Sequence, residues 1–212
     1  MTISRPTLHT ARRQFGLLIL LWGGLVALAA AAGLTQAIPT LLVPLPIVVA
    51  LATPLLLYAR SERLQAIVAA EDLRWLTLFH AWRIPAGLAF LWYGAQGDLP
   101  ALFSTLAGWG DVAAGVLAIL AVLVLPQLRR GQRAGYLAVH TFGMLDFAVA
   151  VGTGFVFSVL GNPLMGAVQA LPLVLIVFFG VPVTGAIGLM TLHRLVRDPT
   201  EASPASVPMA RR

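Results

Sequence analysis

The sequence predicts an all-α, polytopic membrane protein: a six-transmembrane-helix bundle with cytoplasmic N- and C-termini. Three observations lead there. Only 10% of the 212 residues are charged and 59% are hydrophobic, with a mean hydropathy of +0.89, whereas a soluble domain carries about 25% charged residues. Apolar runs at 15–33, 38–59, 73–93, 101–125, 136–160 and 170–193 each approach or exceed the ~20 residues an α-helix needs to cross a hydrocarbon core of ~30 Å. The basic residues are all arginine, and all but Arg83 fall in the termini and alternate connections: Arg5, Arg12, Arg13; Arg60, Arg63, Arg74; Arg129, Arg130, Arg133; and Arg194, Arg197, Arg211, Arg212. The intervening connections LTQA, GAQGD and GNPLMGAVQA hold none. Because basic loops stay on the cytoplasmic side, this alternation puts both termini there. The chain divides into a cytoplasmic N-terminal segment (1–14), the membrane domain (15–195) and a disordered, polar, proline-containing tail (196–212).

Segment 1 is rich in alanine and glycine, which allow close helix approach. The LTQA that follows is a weak cleavage site, but the apolar run exceeds the 7–15 residues of a signal-peptide core, so it reads as a first anchor. Segment 2 carries Pro39, Pro44, Pro46 and Pro54 and is expected to bend or break, since each interior proline removes a backbone hydrogen bond. The connection 60–74 has apolar Leu64, Ile67 and Val68 among its charges. It reads either as a short helix on the inner surface or as an extension of segment 3. In segment 4, Gly108 and Gly110 predict a kink, with 99–107 along the outer interface. Segment 6 is expected to break at GVPVTG.

Several function classes drop out. Cysteine is absent, which removes disulfides and thiolate chemistry. The net charge of +6 is explained by topology and contact with the lipid bilayer, so no nucleic-acid partner is expected. Ser104 and Ser158 lie in outer halves away from any histidine, and no GxSxG occurs. No catalytic residue is assigned, and the balance leans away from an enzyme.

The informative residues are ionisable groups inside the apolar runs. Arg83 stands about ten residues into segment 3, roughly 15 Å deep at 1.5 Å per residue, where an arginine costs about 2.5–3.5 kcal/mol or more. Two acids, Asp111 and Asp146, occupy similar depth. Counting from Gln96 in the connection, Arg83 lies thirteen residues back and Asp111 fifteen forward, so their depths agree to about 3 Å. Gly108, Gly115 and Ala118 share the face of Asp111; Gly143 and Ala150 flank Asp146 in the same way. Two carboxylates around one guanidinium leave one acid incompletely neutralised. Thr184, at comparable depth in segment 6, completes the proton- or substrate-coupling set Arg83, Asp111, Asp146 and Thr184. Pro85, lacking an N–H, is expected to bend segment 3 beside the charge and leave the Ala81 carbonyl facing a small cavity.

His80, His140 and His193 all belong to the inner half. No cofactor is predicted from them, and a zinc ion or b-type haem enters only if they converge. His193 alone reads as a residue serving the last carbonyls of its helix.

Arg83-Ile-Pro-Ala-Gly87, Leu99-Pro100, Gly108-Trp-Gly-Asp111 with Gly115, Gly143-Met-Leu-Asp146-Phe147, and Leu171-Pro-Leu with Pro182 and His193 form a series. It resembles a family of small, uncharacterised multi-pass bacterial membrane proteins over residues 75–195, with nothing contributed by the first two segments. The resemblance implies a bacterial cytoplasmic (inner) membrane location and family positions at Arg83, Asp111, Asp146 and His193. It brings no substrate or activity. The leading expectation is a small proton-coupled transporter or permease of a small-molecule or ion substrate. The alternatives are a haem- or metal-binding redox protein using His80, His140 and His193, and a non-catalytic assembly subunit with a structural charge cluster. Nothing in the chain signals an oligomeric state.

Overall fold

Prolines and glycines punctuate the apolar runs, and the helices begin and end at them. The computed structural model describes residues 5–128 and 130–197, and every regular element among them is helical. Helix α1 (Arg5–Ala31) has Pro6 in its first turn, where a missing N–H leaves no helical bond unmade. It therefore takes in residues 5–14 of the expected N-terminal segment. Its end is closed by Gly33, φ +76°, with the Leu34 N–H donating to the Ala29 carbonyl at 2.9 Å. Gly97 and Gly161 close two later helices by the same left-handed turn at the same, arginine-free end of the bundle.

Segment 2 is interrupted as its prolines predict: a short 3₁₀ turn at Thr40–Leu42 precedes α2 (Pro44–Arg60), which keeps Pro54 in its interior. The stretch 60–74 is a helix of its own, α3 (Glu62–Ala70), and not an extension of segment 3. Ser61 caps its start, accepting from Leu64 N–H at 3.2 Å, and Asp72 opens the next helix by accepting from Arg74 N–H. Arg194 donates to the carbonyls of Val68 and Glu71, while Arg12 pairs with the Glu71 carboxylate at 2.9 Å. These bonds tie α3 across the arginine-rich ends of α1 and of the last helix.

Segment 3 is composite: α4 (Leu73–Leu78), a 3₁₀ turn (Phe79–Trp82) and α5 (Arg83–Ala95). The tightened turn lies directly ahead of Pro85. The Ala81 carbonyl looks onto α6 at Gly115, where an added Cβ would sit 3.4 Å from that oxygen and 2.6 Å from Ile84 Cγ1. The expected cavity there is filled by backbone. Helix α6 (Ala101–Val124) runs unbroken through Gly108 and Gly110, and residues 101–107 are its first turns and not a separate interfacial stretch. Those glycines serve close approach to neighbours instead. Helix α7 (Gln132–Val159) follows, then a 3₁₀ stretch (Pro163–Gln169), a cis Leu171–Pro172 bond, a π-helical segment (Leu175–Gly180) and α8 (Val181–Arg197). Segment 6 changes from π- to α-helix at Gly180–Val181, within GVPVTG, but does not break there: Leu175–Arg197 is one continuous helical stretch. Pro182 has no N–H to offer the Phe178 carbonyl one turn back, and the Trp22 indole of α1 donates to that carbonyl instead, at 3.2 Å. A neighbouring helix thereby supplies a donor to the carbonyl that the proline leaves free.

Five helical stretches are long and apolar enough to cross a membrane: Pro6–Ala31, Thr40–Arg60, Ala101–Gln127, Gln132–Val159 and Leu175–Arg197. Of the six segments the sequence predicts as spans, five correspond to these stretches; segment 3 is the composite α4–α5 and is not among them. Helix α6 lies between α5 and α7, α8 packs on α2 and α7, and α1 leans on the π-helical segment. Burial is inverted relative to a soluble protein. Leu18, Leu20, Leu21, Leu28 and Leu145 are exposed, while Arg83, Asp111, Asp146, His80, His140 and Thr184 are buried, the arrangement expected when hydrocarbon is the solvent. The predicted tail lies outside the described residues from 198 onward; Val196 and Arg197 complete α8.

At the arginine-free end, Gln169 fastens the chain after α1 to the chain after α7. Its amide donates to the carbonyls of Thr35 (2.8 Å) and Ile38 (2.6 Å), and the Thr35 hydroxyl returns a bond to the Gln169 carbonyl. Replacing Gln169 with leucine leaves two carbonyls without this buried donor. It is expected to lower stability by about 1–3 kcal/mol in detergent unfolding, with the Arg83 contacts unchanged.

Candidate functional site

Arg83 begins α5, and the 3₁₀ turn before it aims its side chain between α6 and α7. The guanidinium is 0% exposed, and its two carboxylate partners, Asp111 and Asp146, are 4% and 9% exposed. Nε donates to Asp111 Oδ1 at 2.6 Å, one terminal nitrogen donates to the Gly143 carbonyl at 3.0 Å, and the other pairs with Asp146 Oδ2. The Phe147 ring stacks on the guanidinium, 4.0 Å from Cζ to ring centroid. One side chain thereby ties α5 to α6 and α7.

Glycines make this geometry reachable. A Cβ on Gly110 would overlap the Asp146 carboxylate, and one on Gly143 would lie 3.1 Å from an Arg83 nitrogen. A Cβ on Gly87, one turn after Arg83, would run into the Gly108 carbonyl. The small-residue pattern around the two acids is therefore the pattern of the contact itself. Sequence reasoning did not assign the stacked Phe147 or the Gly143 carbonyl, although both belong to the GMLDF motif that carries Asp146.

Thr184 does not join the cluster. Its hydroxyl accepts from the Trp82 indole at 2.8 Å, and the Trp82 ring occupies the space a Cβ on Gly180 would need. The bulky residue preceding Arg83 claims the threonine first. Nor do the three histidines converge. His80 and His140 meet edge to face, with ring centroids 5.0 Å apart, and His140 Nε2 hydrogen-bonds Thr77 at 3.1 Å. His193 lies apart on α8, its Nδ1 2.9 Å from the Tyr58 hydroxyl; Tyr58, and not the carbonyls of its own helix, is its partner. Among the described residues no group of three or more His, Cys, Asp or Glu is arranged to hold a metal. With the His80 and His140 rings in direct contact, no gap separates them for a porphyrin to lie between. His80 Nε2 and His140 Nδ1 are buried and have no hydrogen-bond partner.

Beside the cluster, toward the arginine-free end, is a crevice of ≈ 60 Å³ lined almost wholly by apolar side chains, with Asp111 in its wall.

A family model described as a domain of unknown function (DUF8737) matches residues 47–196. The chain belongs to this family. The DUF8737 region runs from early α2 almost to the end of α8. It contains every member of the Arg83 cluster, the histidine pair and all of the crevice lining except Val43 and Pro44, and leaves out α1. It also takes in α2, which the resemblance over 75–195 left aside. No curated protein and no solved structure matches the chain.

Proposed function

We propose that this DUF8737 protein is a six-crossing integral membrane transporter of the bacterial cytoplasmic membrane. On this reading a small solute moves against a proton held at the Arg83–Asp111–Asp146 cluster. The composite α4–α5 segment is the third crossing, and the arginine-rich end faces the cytoplasm by the positive-inside rule. The single observation that carries the proposal is the enclosure of one guanidinium with two carboxylates. Their formal sum is −1, and an uncompensated charge in a low-dielectric interior costs several kcal/mol. A proton on one carboxylate, or a cation beside it, removes that cost, so the site is built to exchange one for the other. The π-helical segment and the prolines at positions 54, 85 and 182 supply backbone points at which helices can shift.

One observation favours a second reading, a static clamp: Arg83 engages three helices at once. Infrared difference spectroscopy of the protein in lipid separates the two. In a transporter, a protonated-carboxyl carbonyl band grows on acidification, fades on return to alkaline pH, and is lost in either Asp111→Asn or Asp146→Asn. A clamp shows no titrating carboxyl band that either substitution removes, and the same substitutions lower only thermal stability.

A further inference from the structure

The crevice beside Asp111 has a composition that selects for charge type. Four phenylalanines, Phe90, Phe103, Phe147 and Phe155, line it together with Asp111. Phe90 and Phe103 pack edge to face with centroids 5.5 Å apart, and Phe147 already carries the guanidinium. Phe155, 46% exposed, stands at the margin. The start of α2 forms one wall and α7 the opposite one, and each packs mainly on α8 or α6. Val151 and Phe155, both exposed, bring the crevice to the apolar outer surface of the bundle.

Its polar content is one-sided. Ser158, the other polar lining residue, spends its hydroxyl on the Gly154 carbonyl at 2.8 Å. Arg83 donates to Oδ1 of Asp111, and among the described residues no hydrogen bond to Oδ2 is found. An anionic occupant would meet a cluster of formal charge −1. A neutral alkane would leave the carboxylate oxygen unsatisfied. An ammonium group satisfies the site in three ways: it brings the cluster to neutrality, donates a charge-assisted bond to Asp111 Oδ2, and lies against aromatic faces that attract cations. Size sets a further limit, because an engineered cavity of about 150 Å³ holds benzene, and this one is ≈ 60 Å³.

We propose that the crevice binds the ammonium head of a small alkylamine, with its carbon chain lying between α2 and α7 toward the lipid. This deepens the proton-exchange reading and rests on it. The alkylammonium and the proton compete for the same carboxylate, so occupancy by one expels the other, and the exchanged solute is an apolar amine.

The test uses the full chain in lipid nanodiscs, titrated calorimetrically with hexylammonium chloride and, as a neutral match, hexanol, with empty nanodiscs subtracted. Saturable binding of hexylammonium at least about tenfold tighter than hexanol is expected from the charge-assisted contact. Ala150→Trp, which fills the crevice from α7 at a position that makes none of the cluster's hydrogen bonds, is expected to abolish that binding and keep the titrating carboxyl band. Hexylammonium is also expected to suppress that band in the unaltered protein, a readout that needs no variant. Absence of saturable hexylammonium binding, affinity equal to that for hexanol, or undiminished binding by a folded Ala150→Trp protein overturns the proposal. If the carboxyl band still titrates in that event, proton exchange at the cluster stands and only the amine assignment falls. If no band titrates at all, the static clamp replaces both.

Discussion

Arg83→Leu is expected to destabilise the protein by about 3–5 kcal/mol, the range for removing one partner of a buried charged group. The size follows from what is left behind. Asp111 and Asp146 both lose their guanidinium donor in a region of near-zero solvent access, and the Gly143 carbonyl loses its contact as well. Neutralising the stranded acids reverses most of the loss, because replacing a whole buried charged group by neutral residues is often nearly free. Unfolding in mixed micelles, read by circular dichroism, is expected to rank Arg83→Leu far below native, and Arg83→Leu with Asp111→Asn and Asp146→Asn well above Arg83→Leu. A single variant as stable as native would mean that the guanidinium is not what holds α5, α6 and α7 in register.

Gly87→Val carries the second largest expectation, a loss of about 1–3 kcal/mol or more through overpacking. Its new Cβ meets the Gly108 carbonyl oxygen, and lies 3.0 Å from both Asp111 Cβ and Val112 Cγ2. A backbone oxygen has no rotamer to escape into, so α5 and α6 must separate. Arg83 lies one turn away, and separation lengthens its bond to Asp111. Stability and the carboxyl band are therefore expected to change together. Gly24→Val is the matched control: nothing lies within 4 Å of its Cβ, and a surface change of this kind stays within about 0.5 kcal/mol. Equal losses at both positions would trace the effect to helix propensity and leave the α5–α6 approach without a role.

The pairing of Arg83 with Asp111 was readable because depth in a hairpin is counted residue by residue from the connecting turn. The same count gave Thr184 the right depth and the wrong neighbour. Depth says nothing about azimuth, and Trp82 reaches that hydroxyl first. His193 shows the same limit, since the Tyr58 that meets it sits 135 residues earlier on α2. The role of Gly108 was not legible, because glycine within an apolar helix serves either to bend it or to admit a neighbour. The closeness of Gly87 and Gly108 decides for the second. The Gln169 fastening had no signature at all, because its partners are backbone carbonyls 131 and 134 residues away.

By itself the sequence determined the all-helical class, the apolar segments, the end at which the arginines gather and the matching heights of Arg83 and Asp111 along the α5–α6 hairpin. All of these follow from composition and from a fixed rise per residue along one axis. Tertiary structure alone decided which helices touch, which of two acids each guanidinium nitrogen takes, and which wall of Asp111 is left open beside the phenylalanines. Those outcomes depend on the rotation of each helix about its own axis. That rotation is set collectively, by which small residues let backbones close together and which large ones hold them apart.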